Sequence, residues 1–186
     1  SEAARRMAAV FAARGVAKTY LAVVRGHLPA EGAVDHPLRR DAVDQSRHPD
    51  TQAARTLFRR LACAELPVAV SRYPSSRYSL AQVHPLTGRM HQIRRHLRHI
   101  AHPVIGDTIY GDGRHNRFFR EALGVPRLLL AATAMGFAHP WTGAAVHLAA
   151  PLDETFAGAL EHLGWLADLP PEWLPAPRRL PAAPPL

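Results

Sequence analysis

The sequence predicts an α+β fold in which a mixed, mostly antiparallel sheet is flanked by helices. Three observations carry this expectation. Apolar residues make up 47% of the 186, enough to build the core of one ordinary domain. Strand-like and helix-like apolar spacings both recur along the chain, with no internal repeat. The stretch "LLLAATAMGFAHPWTGAAVHLAAP" reads as a hairpin turning at 140–143.

At the N-terminus, Ser1 and Glu2 start a helix with Met7, Val10 and Phe11 on its apolar side, and Gly15 is placed to end it. "KTYLAVVRG" (18–26) follows as a strand with Tyr20, Ala22 and Val24 on one face and Leu21 and Val23 on the other, so both faces are apolar. Residues 29–54, rich in Pro, Gly, Asp and His, read as an irregular connection. Strands are expected around 55–65 and 76–84, separated by "LPVAVSRYPSS". Within "HQIRRHLRHI" (91–100), Ile93, Leu97 and Ile100 have helical spacing, which leaves the arginines on the remaining face. A second helix is expected over 115–123, then the hairpin, then a short helix over 153–163. The domain should close near residue 165, with 166–186 a Pro-rich tail that stays unfolded from Pro170.

Charge points to the partner. There are 23 Lys and Arg against 15 Asp and Glu, a net charge of +8, and Lys18 is the one lysine. Guanidinium pairs with phosphate bidentately and stacks on bases, so an arginine-rich surface suits a nucleic acid. Arg94, Arg95 and Arg98 must face water or phosphate, because burying an unpaired guanidinium is prohibitive. Thr87 and Gly88 form a tight turn that delivers Arg89 and the start of that helix, where free N–H groups also favour phosphate.

Other classes lack their signatures. His91, His96, His99 and His102 cluster, but there is no HExxH, a single Cys, and no carboxylate between 86 and 106, so no metal site is expected. A phosphate loop, a G-x-G-x-x-G fingerprint and a G-x-S-x-G nucleophile are also missing. The lone Cys63, in an apolar stretch, reads as a core residue in a reducing compartment. No run of about 18 apolar residues is present and the first residues lack a signal-peptide block, so the expected location is cytoplasmic, with no membrane partner.

Several blocks in fixed order carry a resemblance. "KTYLAVVRG" resembles the Lys-x-Tyr-x-Ala-x-Val-x-Gly strand of the RluA-type pseudouridine synthases. "LTGRMHQIRRHLRHIAHPVIGDTIYGD" is similar to their Thr-Gly-Arg-x-His-Gln-(Ile/Leu)-Arg block followed by His-Pro-x-x-Gly-Asp. "SRYPSSRYSL" and "GDGRHNRFFREALGVPRLLL" resemble the tRNA pseudouridine synthase C branch in particular. The resemblance covers residues 1–165 and implies a bowl-shaped sheet holding RNA in a basic cleft. It also implies isomerisation of a tRNA uridine without a cofactor, by a protein expected to be a monomer. The target base must be flipped out, which requires phosphate grips and a stacking surface.

By the same resemblance, Tyr20 is the active-site tyrosine packed on the target base, and Arg94 is the basic residue that pairs with the catalytic aspartate. Arg89, His91 and Gln92 serve RNA contact or local architecture, and Lys18, Arg95 and Arg98 complete the expected RNA-binding set. Gly106 and Asp107 read as a turn after His102 and Pro103. One departure stands out: the family's nucleophilic aspartate lies in a His-Arg-Leu-Asp segment, and the 186 residues hold none. Asp35, Asp41 and Asp44 lie in the irregular connection and do not replace it. The resemblance therefore implies a chain that starts downstream of its nucleophile and is inactive alone, with a sheet edge near residues 18–26 left unpaired unless something covers it. The other reading is a non-catalytic RNA-binding protein derived from the same family.

Overall fold

A strand that is apolar on both faces needs cover on both sides, and β1 (Val16–Arg25) finds it at the middle of a six-stranded sheet. The computed structural model describes residues 1–13, 15–40 and 50–175. The sheet order is β2-β5-β6-β1-β7-β8, with β2 at Glu31–Asp35, β5 at Arg55–Leu66, β6 at Ser76–Pro85, β7 at Leu130–Ala138 and β8 at Ala145–Ala149. Every pairing in it is antiparallel, in keeping with the mostly antiparallel sheet and flanking helices expected. Tyr20 stands opposite Val83 of β6 and Ala132 of β7. The edge near 18–26 is covered by β7, and the edges among the described residues are β2 and β8.

The two faces of β1 seed two cores. Leu21 and Val23, fully buried, join Tyr78, Leu80, Phe119, Phe156 and Leu160 beneath α3 (Gly113–Ala122) and α4 (Glu154–His162). Ala22 and Val24 join Val83, Ile93 and Leu97 beneath α2 (Gln92–His99). Each buried Leu or Phe contributes about 1.5–3 kcal/mol relative to exposure, so the sheet is fixed from both sides. Inside the first core the Tyr78 hydroxyl meets His115 Nδ1 at 2.9 Å. Burial pushes that phenol up to about 12 and holds the His115 imidazole below its ordinary value, so both stay neutral. Helix α1 (Glu2–Ala12) buries no residue; it is capped by Ser1 and laced by an Arg6–Glu2 pair at 2.6 Å.

Three expectations are corrected. The connection over 29–54 contains β2 and the short pair β3 (Leu38–Arg39) and β4 (Thr51–Gln52), while 41–49 lie outside the described residues. The glycine and acidic residues of β2 hide a strand that holds by pairing to β5 rather than by propensity; Gly32 lies where a Cβ would stand 2.6 Å from the Phe58 ring. Cys63 is exposed, not in the core: its neighbours Ala62 and Ala64 pack on the first core, so alternation sends the thiol to the open face. The tail does not begin at 166. Two 3-10 turns, Leu166–Asp168 and Pro171–Trp173, seat Leu169 and Trp173 in the first core, because the indole offers more apolar area than the prolines take away. Residues 176–186 lie outside the described residues.

Candidate functional site

The segment from Thr87 to Arg94 is held from beneath by one amide. Gln92 is buried, and its Oε1 accepts from the Thr87 hydroxyl at 2.7 Å and the Arg89 N–H at 3.0 Å. Its Nε2 donates to the Arg55 carbonyl and the Thr56 hydroxyl, both at 3.0 Å. All four hydrogen-bonding positions of the side chain are used within the chain. The network runs on through Thr56 to His96 Nδ1 at 2.8 Å, and His96 Nε2 donates to the His36 carbonyl at 2.9 Å. The carbonyl fixes Nε2 as a donor, and burial lowers the His96 pKa, which favours the neutral imidazole.

Arg94, on the first turn of α2, is locked by a carboxylate within the chain. Its Nε and Nη2 donate to Asp107 Oδ2 and Oδ1, each at 2.7 Å. The Asp107 side chain is 0% exposed and that of Arg94 only 14%. Asp107 Oδ1 also accepts the N–H groups of Ile109 (2.9 Å) and Tyr110 (2.8 Å), which folds the turn expected there. Burial pushes the carboxyl up, but the bonds from Arg94, Tyr110 and Ile109 outweigh it and hold Asp107 below the usual carboxylate range. The guanidinium is correspondingly held above its ordinary value by Asp107. Its plane stands 5.1 Å from the centre of the Tyr110 ring, a cation–π contact.

The loop that presents Asp107 depends on Gly106. Its φ of +78° is a left-handed conformation, and a Cβ there would lie 1.9 Å from the Arg127 carbonyl oxygen. Asn116 of α3 ties the same loop, accepting from the Gly106 N–H at 2.7 Å and donating to the Asp107 carbonyl at 2.8 Å.

These elements meet at a cavity of about 240 Å³. Lys18, Tyr20, Arg89, His91, Gln92 and Arg94 all line it, beside Ile93 and Leu130. Tyr20 leaves β1 on the α2 side and is partly buried against the second core. Lys18 reaches the Thr87 carbonyl at 3.5 Å, and burial lowers its pKa. His91 has φ +52°, uncommon for a residue with a side chain, and its Nδ1 lies 3.3 Å from the Tyr110 hydroxyl. Arg95 and Arg98 do not line the cavity; Arg95 donates to the Arg39 carbonyl at 3.0 Å and Arg98 to the Tyr110 carbonyl at 2.9 Å.

The clustered histidines diverge in space. His91 turns to Tyr110, His96 to Thr56, His99 stacks on His36 with centroids 3.8 Å apart, and His102 meets the Arg25 carbonyl at 2.9 Å. No group of three metal-ligating side chains occurs among the described residues. Sequence reasoning missed two members of the site, the Asp107 carboxylate as partner of Arg94, and Tyr110, which touches His91, Arg94 and Arg98. The available signal was "GDTIYG", an aspartate and a tyrosine three residues apart that one turn brings to a single point.

The antiparallel sheet thus brings an aromatic side chain, a clamped guanidinium and the basic side chains of Lys18 and Arg89 around one small cavity. The sequence model of the RNA pseudouridylate synthase family matches residues 1–99, more than half of the chain. The chain belongs to that family. It is 40% identical over 174 residues to tRNA pseudouridine synthase C of Vibrio vulnificus, spanning 91% of this chain and 71% of that one. To the protein of the same name from Salmonella typhimurium it is 43% identical over 175 residues, 91% of this chain and 67% of that one. Among solved structures, human RNA pseudouridylate synthase domain containing 4 superposes with a TM-score of 0.64 at 25% identity, over 88% of this chain and 68% of that one. Human RNA pseudouridylate synthase domain containing 1 gives 0.63 at 26% identity, over 82% of this chain and 61% of that one.

Proposed function

We propose that this chain serves the isomerisation of a specific tRNA uridine to pseudouridine. The observation that carries the reading is the cavity between Tyr20 and the Arg94–Asp107 pair, in a family member that is 37% to 43% identical to proteins named tRNA pseudouridine synthase C. The reaction breaks the bond from uracil N1 to ribose C1′ and joins C5 to the same C1′; N1 gains a hydrogen and C5 loses one. Nothing is oxidised or reduced, so the chemistry calls for no cofactor.

Tyr20 packs against the flipped base. Arg94, with Nε and Nη2 taken by Asp107, offers its remaining terminal nitrogen to the nucleotide. Lys18 and Arg89 grip phosphate at the rim, and Arg95 and Arg98 extend the basic surface beyond the cavity. Asp107 is a positioning residue rather than the nucleophile, because its oxygens are buried and already accept four N–H bonds. The family's nucleophile belongs to a His-Arg-Leu-Asp segment that is not among the 186 residues, so these residues alone bind and position without turnover. The working unit is a monomer in the cytoplasm, and no helix of the described residues is long and apolar enough to cross a membrane.

The test is mapping of pseudouridine in tRNA by mass spectrometry. Residues 1–186 should bind tRNA and yield no product, and the same residues continuous with an N-terminal segment carrying His-Arg-Leu-Asp should convert one position. Turnover by residues 1–186 alone would refute the assignment of the nucleophile. Binding without product in the extended chain would favour an RNA-binding protein with no chemistry.

A further inference from the structure

A second cleft, of about 970 Å³, opens at the other end of the sheet. Arg25 lies five residues along β1 from Tyr20, about 17 Å at strand rise, and an odd separation sends the two side chains to opposite faces. Arg25, Arg72, Arg77 and Arg114 line the cleft. Two carboxylates answer these four guanidiniums: Asp112 takes Arg25 at 2.6 Å and stands 3.7 Å from Arg114, and Glu65 takes Arg77 at 3.0 Å. Arg72 instead donates to a neutral group, the Tyr73 hydroxyl, at 2.6 Å. Its guanidinium also lies 4.8 Å from the centre of the Tyr73 ring, which is 57% exposed. An excess of positive charge beside a solvent-facing aromatic is the chemistry of single-stranded nucleic acid binding: backbone on the arginines, a base on the ring.

We propose that this cleft holds backbone phosphate and one unpaired base of the same tRNA, outside the target nucleotide. The inference rests on the tRNA reading above. Arg72 exchanges a phenol for a phosphate without breaking an ion pair, and Tyr73 supplies the platform. Because the cleft faces away from the first cavity, only an RNA large enough to pass around the end of the sheet reaches both. Its contribution is therefore to affinity for whole tRNA and to the choice of tRNA.

The experiment measures binding of the full chain to whole tRNA and to a hairpin of about 17 nucleotides that carries the target loop, across a salt series. R72A/Y73A, both at exposed positions, should weaken tRNA binding roughly tenfold and lower the log–log salt slope by about one, leaving the hairpin within twofold. E65Q, which releases Arg77, should tighten tRNA binding, a gain that no misfolded variant would give. Unchanged tRNA affinity in R72A/Y73A, equal losses on both RNAs, or no tightening by E65Q would overturn the inference. Wild-type chain that bound neither RNA would instead defeat the tRNA reading beneath it.

Discussion

Replacing Asp107 by asparagine keeps the shape of the side chain and removes the charge that Arg94 faces. Oδ1 accepts three bonds, from Arg94 Nη2, Ile109 and Tyr110, whereas Oδ2 accepts only Arg94 Nε. An asparagine that keeps its oxygen at the first position preserves the turn but aims its NH₂ at Arg94 Nε, donor against donor. The guanidinium is then nearly buried without a counter-charge, which costs about 3–5 kcal/mol. For a chain of this size each kcal/mol moves the melting temperature by about 2–4 °C, so D107N should melt about 6–20 °C below wild type. R94M/D107N, which removes both charges and keeps the side-chain oxygen that holds the turn, should recover most of that loss. The acid limb has a definite sign: the folded carboxyl lies below its unfolded value, so its contribution is complete above about pH 3.9 and fades as pH falls. The gap between wild type and D107N should therefore close in acid. Thermal unfolding followed by circular dichroism over a pH series reads both effects, and a D107N protein melting within about 2 °C of wild type at neutral pH would refute the reasoning.

Three further outcomes are expected. G106A forces a Cβ into the Arg127 carbonyl at positive φ and should lose more than about 3 kcal/mol or fail to fold, read by urea denaturation. W173A should cost about 3–5 kcal/mol by the same measurement, because the indole is buried in the core; a neutral result would return residues 166–175 to a loose tail. Lys18 has a lowered pKa through burial, so tRNA affinity should begin to fall at a pH below the ordinary lysine value of about 10.4, and K18R should abolish that fall in filter-binding titrations.

Much of the sheet was legible because β1, β5 and β6 announce themselves by alternation or by apolar runs, and the α2 helix by Ile93 and Leu97. β2 was not, since "EGAVD" has little strand propensity and exists by pairing with β5. Trp173 was concealed by its prolines, and Cys63 by a bulge in the β5–β6 pairing between Arg60 and Ala62 that resets which side chains face inward. The site divided in the same way. Arg94 was singled out by resemblance, but its clamp depends on a loop thirteen residues further along the chain, and no local pattern encodes that distance. Nor does spacing distinguish Gln92, wholly consumed by internal bonds, from Arg89 beside it at the cavity wall.

The most direct test of the central claim is single-turnover pseudouridine formation on saturating tRNA by the chain extended with a His-Arg-Leu-Asp segment, wild type against R94M/D107N. That pair keeps the fold by the argument above and removes the cavity's clamped cation. The account predicts tRNA affinity within a few-fold and a rate at least about a hundredfold lower. Equal rates in a folded, tRNA-binding variant would contradict it.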